Sequence, residues 1–97
     1  MFDPQAGHEQ AGRRPALVIS PKLYNAASNL ALFCPITSRV KGYPFEVVLP
    51  PHSKVIGAVL SDQIKSLDWK VRKAKLIAKT TPDVISEVLG KISTLTG

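Results

Sequence analysis

Cysteine is almost absent from this 97-residue chain, where Cys34 stands alone. One thiol closes no intramolecular disulfide, so the fold must rest on burial, and a reducing cytoplasm is the expected compartment. Histidine is nearly as scarce. His8 and His52 lie far apart, no His-x-x-x-His or Cys-x-x-Cys pair exists, and no metal centre is expected. No glycine-rich loop runs into a helix start, which removes the usual nucleotide cradle, and no cofactor is expected. No apolar run approaches the ~20 residues of a membrane span. The N-terminus lacks a basic segment followed by an apolar core, so no signal peptide is expected. Internal repeats and low-complexity segments are missing too. Acidic residues are few, 7 against 13 basic, for a net charge of +6.

That imbalance favours a polyanion or an acidic protein segment as partner. It is also uneven. Lys65, Lys70, Arg72, Lys73, Lys75 and Lys79 fall in one stretch whose only acid is Asp68, with Trp69 interleaved. Such a run is often a solvated strand face, but cations around an aromatic lean towards nucleic acid. A hydrophobic content of 44 % suits a globular chain. The length suits a single domain, residues 1–97, with a modest core.

Asp3-Pro4 reads as a turn opening the domain. Ala16–Ser20 is a continuous apolar strand, buried on both faces and ended by Pro21. Pro21–Ser28 is a connection with a helical turn around Lys22–Asn25. Asn29–Thr37 is a second strand. Pro35 within it cannot donate to a ladder and marks a bulge, an edge or the strand end. After a turn at Arg39–Gly42, Tyr43–Leu49 is aromatic and β-branched, as strands prefer. Pro50–Ser53 is a loop. Val55–Ile64 reads as a strand with Gly57 at a bulge, Leu67–Arg72 as a bend, and Ala74–Ala78 as a last strand. Thr81-Pro82-Asp83 supplies a capping hydroxyl, a proline at the first helical position and an acid favoured by the dipole. Val84, Ile85, Val88, Leu89, Ile92 and Leu95 then recur at helical spacing as a core-facing stripe. Several short strands followed by one helix predict a mainly β fold, a small, partly open barrel with a C-terminal helix.

The stretch from Gly7 to Pro15 holds Glu9, Arg13 and Arg14 between glycines, just ahead of the first strand. Arg14 precedes proline, which pushes its backbone towards an extended conformation. A carboxylate and a guanidinium on one loop can move a proton and position a phosphodiester. On composition alone, the same loop is a solvated hairpin tip with a weak surface ion pair. Cys34 is a potential nucleophile, but in an apolar strand a buried structural cysteine is far more usual.

Three blocks, in order, resemble the MazF/PemK-type toxins, the sequence-specific, metal-independent endoribonucleases of toxin–antitoxin pairs. They are Phe2-Asp3-Pro4 with Gly7 to Pro21, Cys34 to Arg39 with Lys41 to Val47, and Leu60 to Trp69. The resemblance implies an SH3-like barrel working as a homodimer. It implies cleavage of single-stranded RNA, most naturally mRNA, leaving a 2′,3′-cyclic phosphate and a 5′-hydroxyl, and inhibition by an acidic cognate antitoxin.

Such chemistry needs a base for the 2′-hydroxyl proton, a proton for the leaving 5′-oxygen and donors for the charge on phosphorus. The resemblance gives Arg14 as the main catalytic residue. Its very high pKa makes charge stabilisation the better role than proton donation. Glu9 is then the candidate base, and Thr37 matches the family's active-site threonine. Without the resemblance, Thr37 is a strand-end hydroxyl capping a turn. RNA contacts are expected from Arg13, Ser38, Arg39, Lys41, Gln63, Lys65, Trp69, Lys70 and Arg72. Gln63 beside Asp62 either reads base edges or bonds the barrel rim. Phe45 reads as core, and Trp69 divides evenly between core and partner contact.

Another class stays open: a non-catalytic member of the same barrel family, binding protein as the gyrase poisons do, or binding RNA passively. Gyrase poisons use aromatic and apolar residues at the very C-terminus, whereas this chain ends Ser93-Thr94-Leu95-Thr96-Gly97. In the resembled family a Gly-Asp pair and a strand precede Phe-Asp-Pro. Here Met1 stands directly before it, so that strand is expected to be absent. An open sheet edge, disorder from Met1 to about Gly12 and weakened activity would follow.

Overall fold

The computed structural model describes residues 3–5, 14–72 and 74–96. In chain order they form strand β1 (Asp3–Gln5), strand β2 (Ala16–Val18), helix α1 (Lys22–Ser28) and strand β3 (Leu30–Thr37). Strand β4 (Glu46–Val48), strand β5 (Ala58–Leu60), a 3₁₀ turn (Ser61–Gln63), strand β6 (Lys65–Asp68), strand β7 (Lys75–Ala78) and helix α2 (Pro82–Thr96) follow. Five strands make an antiparallel sheet ordered β2-β3-β5-β4, with β6 also paired to β3. As the expected partly open form requires, this sheet is not closed into a barrel. The pair β1–β7 forms a separate two-stranded sheet.

Strand β3 is the common member. β2 pairs along Phe33–Pro35, while the other edge is shared between β6 at Leu30–Phe33 and β5 at Ile36–Thr37. Pro35 falls at the handover between those two partners. The Ile36 N–H bonds the Pro15 carbonyl at 3.1 Å on the β2 side. By alternation, the donor Pro35 lacks would have faced the gap. Proline therefore sits inside the strand without breaking a bond.

Both faces of the strand are covered. Leu17, Cys34, Ile36, Val47 and Val59 pack beneath α2 through Val84 and Val88, while Val18, Ala31 and Phe33 form a second cluster with Leu67 and Trp69. The cross-strand pairs Leu17↔Cys34 and Val18↔Phe33 keep each strand's alternation in phase with its neighbour's. In α2, Val84 and Val88 are buried, but Leu89 and Leu95 are exposed, so the stripe covering the sheet is narrower than the sequence suggests. Thr81 Oγ1 accepts the Val84 N–H at 3.5 Å, as its capping role predicts.

Several boundaries differ from expectation. Asp3–Gln5 is a strand on β7, where a turn and disorder were expected; its register shifts between Asp3 and Pro4, where proline removes a donor. Residues 1, 2 and 6–13 lie outside the described residues. Helix α1 runs to Ser28 because Asn29 adopts a left-handed conformation and closes it on the Asn25 carbonyl. The strand at Tyr43–Leu49 shrinks to Glu46–Val48, since the Glu46 N–H bonds the Tyr43 carbonyl across a turn containing Pro44. The long strand at Val55–Ile64 divides into β5 and the 3₁₀ turn. Strand β6 replaces the first part of the bend. Asp68 Oδ1 then accepts the Lys70 and Val71 N–H groups at 3.0 and 2.9 Å, turning the chain at residues 69–72.

Cys34 is fully buried, and desolvation, aided by the charge of Asp62, pushes its thiol up to about 11. At pH 8 a thiol reagent is expected to modify the native chain far more slowly than the urea-unfolded chain. Above about pH 9 the unfolded thiol ionises while the native one does not. Stability therefore falls as pH rises towards 11, and rapid native-state labelling at pH 8 would contradict this burial.

Candidate RNA-cleavage site

The register of β2 on β3 sets the backbone frame of the candidate site. Ala16 lies opposite Pro35, and Pro15 still bonds Ile36. Two places beyond Ala16, the same register sets Arg14 opposite Thr37, on one face of the sheet. Directly opposed residues have Cα atoms roughly 4.5–5.5 Å apart, so the backbone frame puts Arg14 and Thr37 within side-chain reach of each other. Arg14 is exposed and Thr37 half-buried. Their face is the one lined by Phe33 and Val18, away from α2.

Thr37 Oγ1 accepts the Arg39 N–H at 3.1 Å. The turn-capping role is therefore real. It also occupies an acceptor lone pair and leaves the hydroxyl proton available for an incoming oxygen. On the other side, Thr37 pairs with Ala58. A Cβ built on Gly57 would lie 2.0 Å from the Thr37 carbonyl oxygen, and Gly57 has φ +132°. Only glycine allows β5 to approach the end of β3 this closely.

Ser38, Arg39 and Lys41 follow Thr37 on the exposed loop. Lys65 is exposed opposite Phe33, on the face shared by Arg14 and Thr37. Gln63 is exposed at the 3₁₀ turn. Trp69, Lys70 and Arg72 are not brought to this point. They follow Asp68, which pairs with Leu30, and Leu30 lies seven residues before Thr37 along β3, roughly 23 Å at the rise of a strand. Trp69 is half-buried against the Val18 cluster, and its indole N–H donates to the Asn25 carbonyl at 3.0 Å. Core packing thus takes most of Trp69, although Lys70 Nζ lies 5.7 Å from its ring centre. Phe45 is half-buried and tilted against the exposed Tyr43, with ring centres 5.4 Å apart. Glu9 and Arg13 lie outside the described residues.

Two features were not singled out from the sequence. Glu46 is buried, and its carboxylate holds the Arg39–Gly42 loop. A cleft lined by His52, Lys54, Lys79 and Thr81 opens beside Leu49 and Val55, where the α2-facing core ends.

Residues 1–96 match the family model described as PemK-like, MazF-like toxin of type II toxin-antitoxin system. The chain belongs to this family. Among PemK/MazF-like proteins, it is 44 % identical over 96 residues to the endoribonuclease toxin MazF of Escherichia coli K12, covering 99 % of this chain and 86 % of that one. The crystal structure of MazF from Deinococcus radiodurans superposes with a TM-score of 0.90 at 51 % identity, covering 99 % and 93 % of the two chains. A MazE-MazF crystal structure from the same organism gives 0.91 at 51 % identity, covering 99 % and 92 %. The PemK/MazF-like core is therefore present from β1 to α2. No helix among the described residues is long and apolar enough to cross a membrane.

Proposed function

We propose that this chain is the toxin of a type II toxin–antitoxin pair and cuts single-stranded RNA at the Arg14–Thr37 face. The observation that carries this reading is the cross-strand register that sets Arg14 opposite Thr37, whose hydroxyl accepts the Arg39 N–H and so keeps its proton for donation. Family membership and relatives named endoribonucleases support it. In the proposed reaction Glu9 takes the proton of a ribose 2′-hydroxyl. The freed oxygen attacks the adjacent phosphorus, the bond to the 5′-oxygen breaks, and that oxygen receives a proton as it leaves. Arg14 and Thr37 stabilise charge on the non-bridging oxygens. The products are a 2′,3′-cyclic phosphate and a 5′-hydroxyl. Arg39, Lys41 and Lys65 neutralise neighbouring phosphates, and affinity should fall with salt accordingly.

The chain works in the cytoplasm as a homodimer, and an acidic antitoxin segment covers the same cationic surface. This chemistry needs no metal ion. Cleavage of a long RNA is expected to proceed undiminished in excess EDTA, with termini carrying the cyclic phosphate. Activity that vanishes with chelator and returns only with a divalent ion would overturn the mechanism.

A further inference from the structure

The loop following Thr37 carries exposed cations, yet it is held by a buried acid. Glu46 opens β4 and is 8 % exposed. Its Oε1 accepts the N–H of Lys41 at 3.1 Å and the N–H of Gly42 at 2.9 Å. Gly42 has φ +79°. Two successive backbone N–H groups, with glycine in the left-handed region, form a concavity that takes an anion. Here the anion comes from the chain itself.

The remaining bonds fix the loop's ends. Thr37 Oγ1 holds the Arg39 N–H, the Glu46 N–H reaches the Tyr43 carbonyl, and Lys91 Nζ on α2 donates to the Pro44 carbonyl. Among the described residues, Glu46 is the side chain that binds the loop's middle. Arg39, Lys41 and Tyr43 project from the segment so fixed, and all three are exposed.

We infer that Glu46 is a positioning residue for RNA recognition: it fills the anion site of its own loop and so aims Arg39, Lys41 and Tyr43 at the nucleotides flanking the cut. This rests on the proposed cleavage at Arg14 and Thr37. Glu46 itself touches no RNA. Its effect is on substrate affinity and on discrimination between flanking nucleotides, because a loop held in one conformation loses less entropy on binding and offers one set of contacts. The chemical step stays with Arg14 and Thr37.

The test uses the full chain with Glu46→Ala, Glu46→Gln and Gly42→Ala. A Cβ at Gly42 meets nothing within 4 Å, so this third variant disturbs the loop without crowding the core. Each variant is assayed on RNA oligonucleotides differing in one nucleotide beside the cut. Amide hydrogen exchange at Lys41 and Gly42 reports the clamp independently of cleavage. Glu46→Ala is expected to raise KM about tenfold or more, leave kcat within about threefold and narrow the difference between substrates. Glu46→Gln keeps an acceptor oxygen and should recover much of the loss. Gly42→Ala should reproduce the KM effect in a chain with unaltered circular dichroism. Unchanged KM and discrimination in Glu46→Ala and Gly42→Ala would overturn the inference, as would a loss confined to kcat. A wild-type chain that cuts no RNA, although both amides are protected, would instead overturn the cleavage reading and Glu46's part in it.

Discussion

Arg14→Ala is expected to lower the rate of RNA cleavage by roughly 100-fold or more, while affinity for an uncleavable RNA changes far less. The uncleavable RNA lacks the 2′-hydroxyl at the cut site, so it measures ground-state contacts alone. The asymmetry follows from position. Arg14 is one residue before Pro15, whose carbonyl bonds Ile36, so the pairing of β2 with β3 reaches its immediate neighbour. Its backbone thus starts beside the sheet rather than at a free tip, on the side of the Thr37 hydroxyl proposed to share the phosphate's charge. A group placed this way is strongest when negative charge develops on the non-bridging oxygens, and that occurs in the transition state. Ordinary phosphate contacts, as proposed for Arg39 or Lys65, act on both states alike and should appear mainly in KM and salt dependence. Single-turnover rates of the variant and wild type decide the matter. Turnover within a few-fold of wild type would reduce Arg14 to a surface cation.

How far this arrangement was legible depends on where the information lies. The continuous apolar runs of β2 and β3 and the Thr81-Pro82 start of α2 are local, and the structure forms all three elements there. Strand β6 is Lys65-Ser66-Leu67-Asp68, a polar strand with one apolar residue, and nothing in its composition separates it from a bend. It is a strand because β3 offers an unpaired edge there. The shortened β4 and β5 have the same cause in reverse: Pro44, Gly57 and the 3₁₀ turn end pairing that β-branched residues would otherwise prolong. Arg14 and Thr37 were both named from the family resemblance, but their opposition is a property of register. The register is set across α1, which Ser20 and Asn25 lock in place through a 2.6 Å hydrogen bond from Ser20 Oγ to Asn25 Oδ1. Trp69 divides evenly between core and partner contact on sequence alone. Its neighbours Lys70 and Arg72 suggest a nucleic-acid face, yet its ring completes the second core cluster and its N–H bonds α1. Glu46 looked like one more strand residue because its role depends on a backbone turn four to five residues upstream.

Gly57→Ala is the second large effect expected. The new Cβ would stand 2.0 Å from the Thr37 carbonyl oxygen and 2.9 Å from its carbonyl carbon, and both are backbone atoms that no rotamer change can move aside. The φ of +132° adds strain that a side chain cannot relieve in place. β5 must therefore withdraw from the end of β3 or tilt Thr37 away from Arg14. A loss of about 3 kcal/mol or more is a reasonable scale for such a clash, against a typical total of about 5–15 kcal/mol. For a domain of this size, the melting temperature should then drop by at least about 10 °C. Activity should fall more than the melting temperature alone would dictate, since the displaced atoms belong to the residue whose hydroxyl is proposed to serve the phosphate. Cleavage measured well below the variant's melting point separates the two effects. Gly90→Ala is the matched control. That glycine lies within α2, its added Cβ meets nothing within 4 Å, and the change should stabilise the chain by about 0.5–1 kcal/mol with activity unaltered. A Gly57→Ala chain that melts and cleaves like wild type would mean that β5 does not crowd Thr37 in solution. The geometry of the site would then have to be redrawn from the β2 side alone.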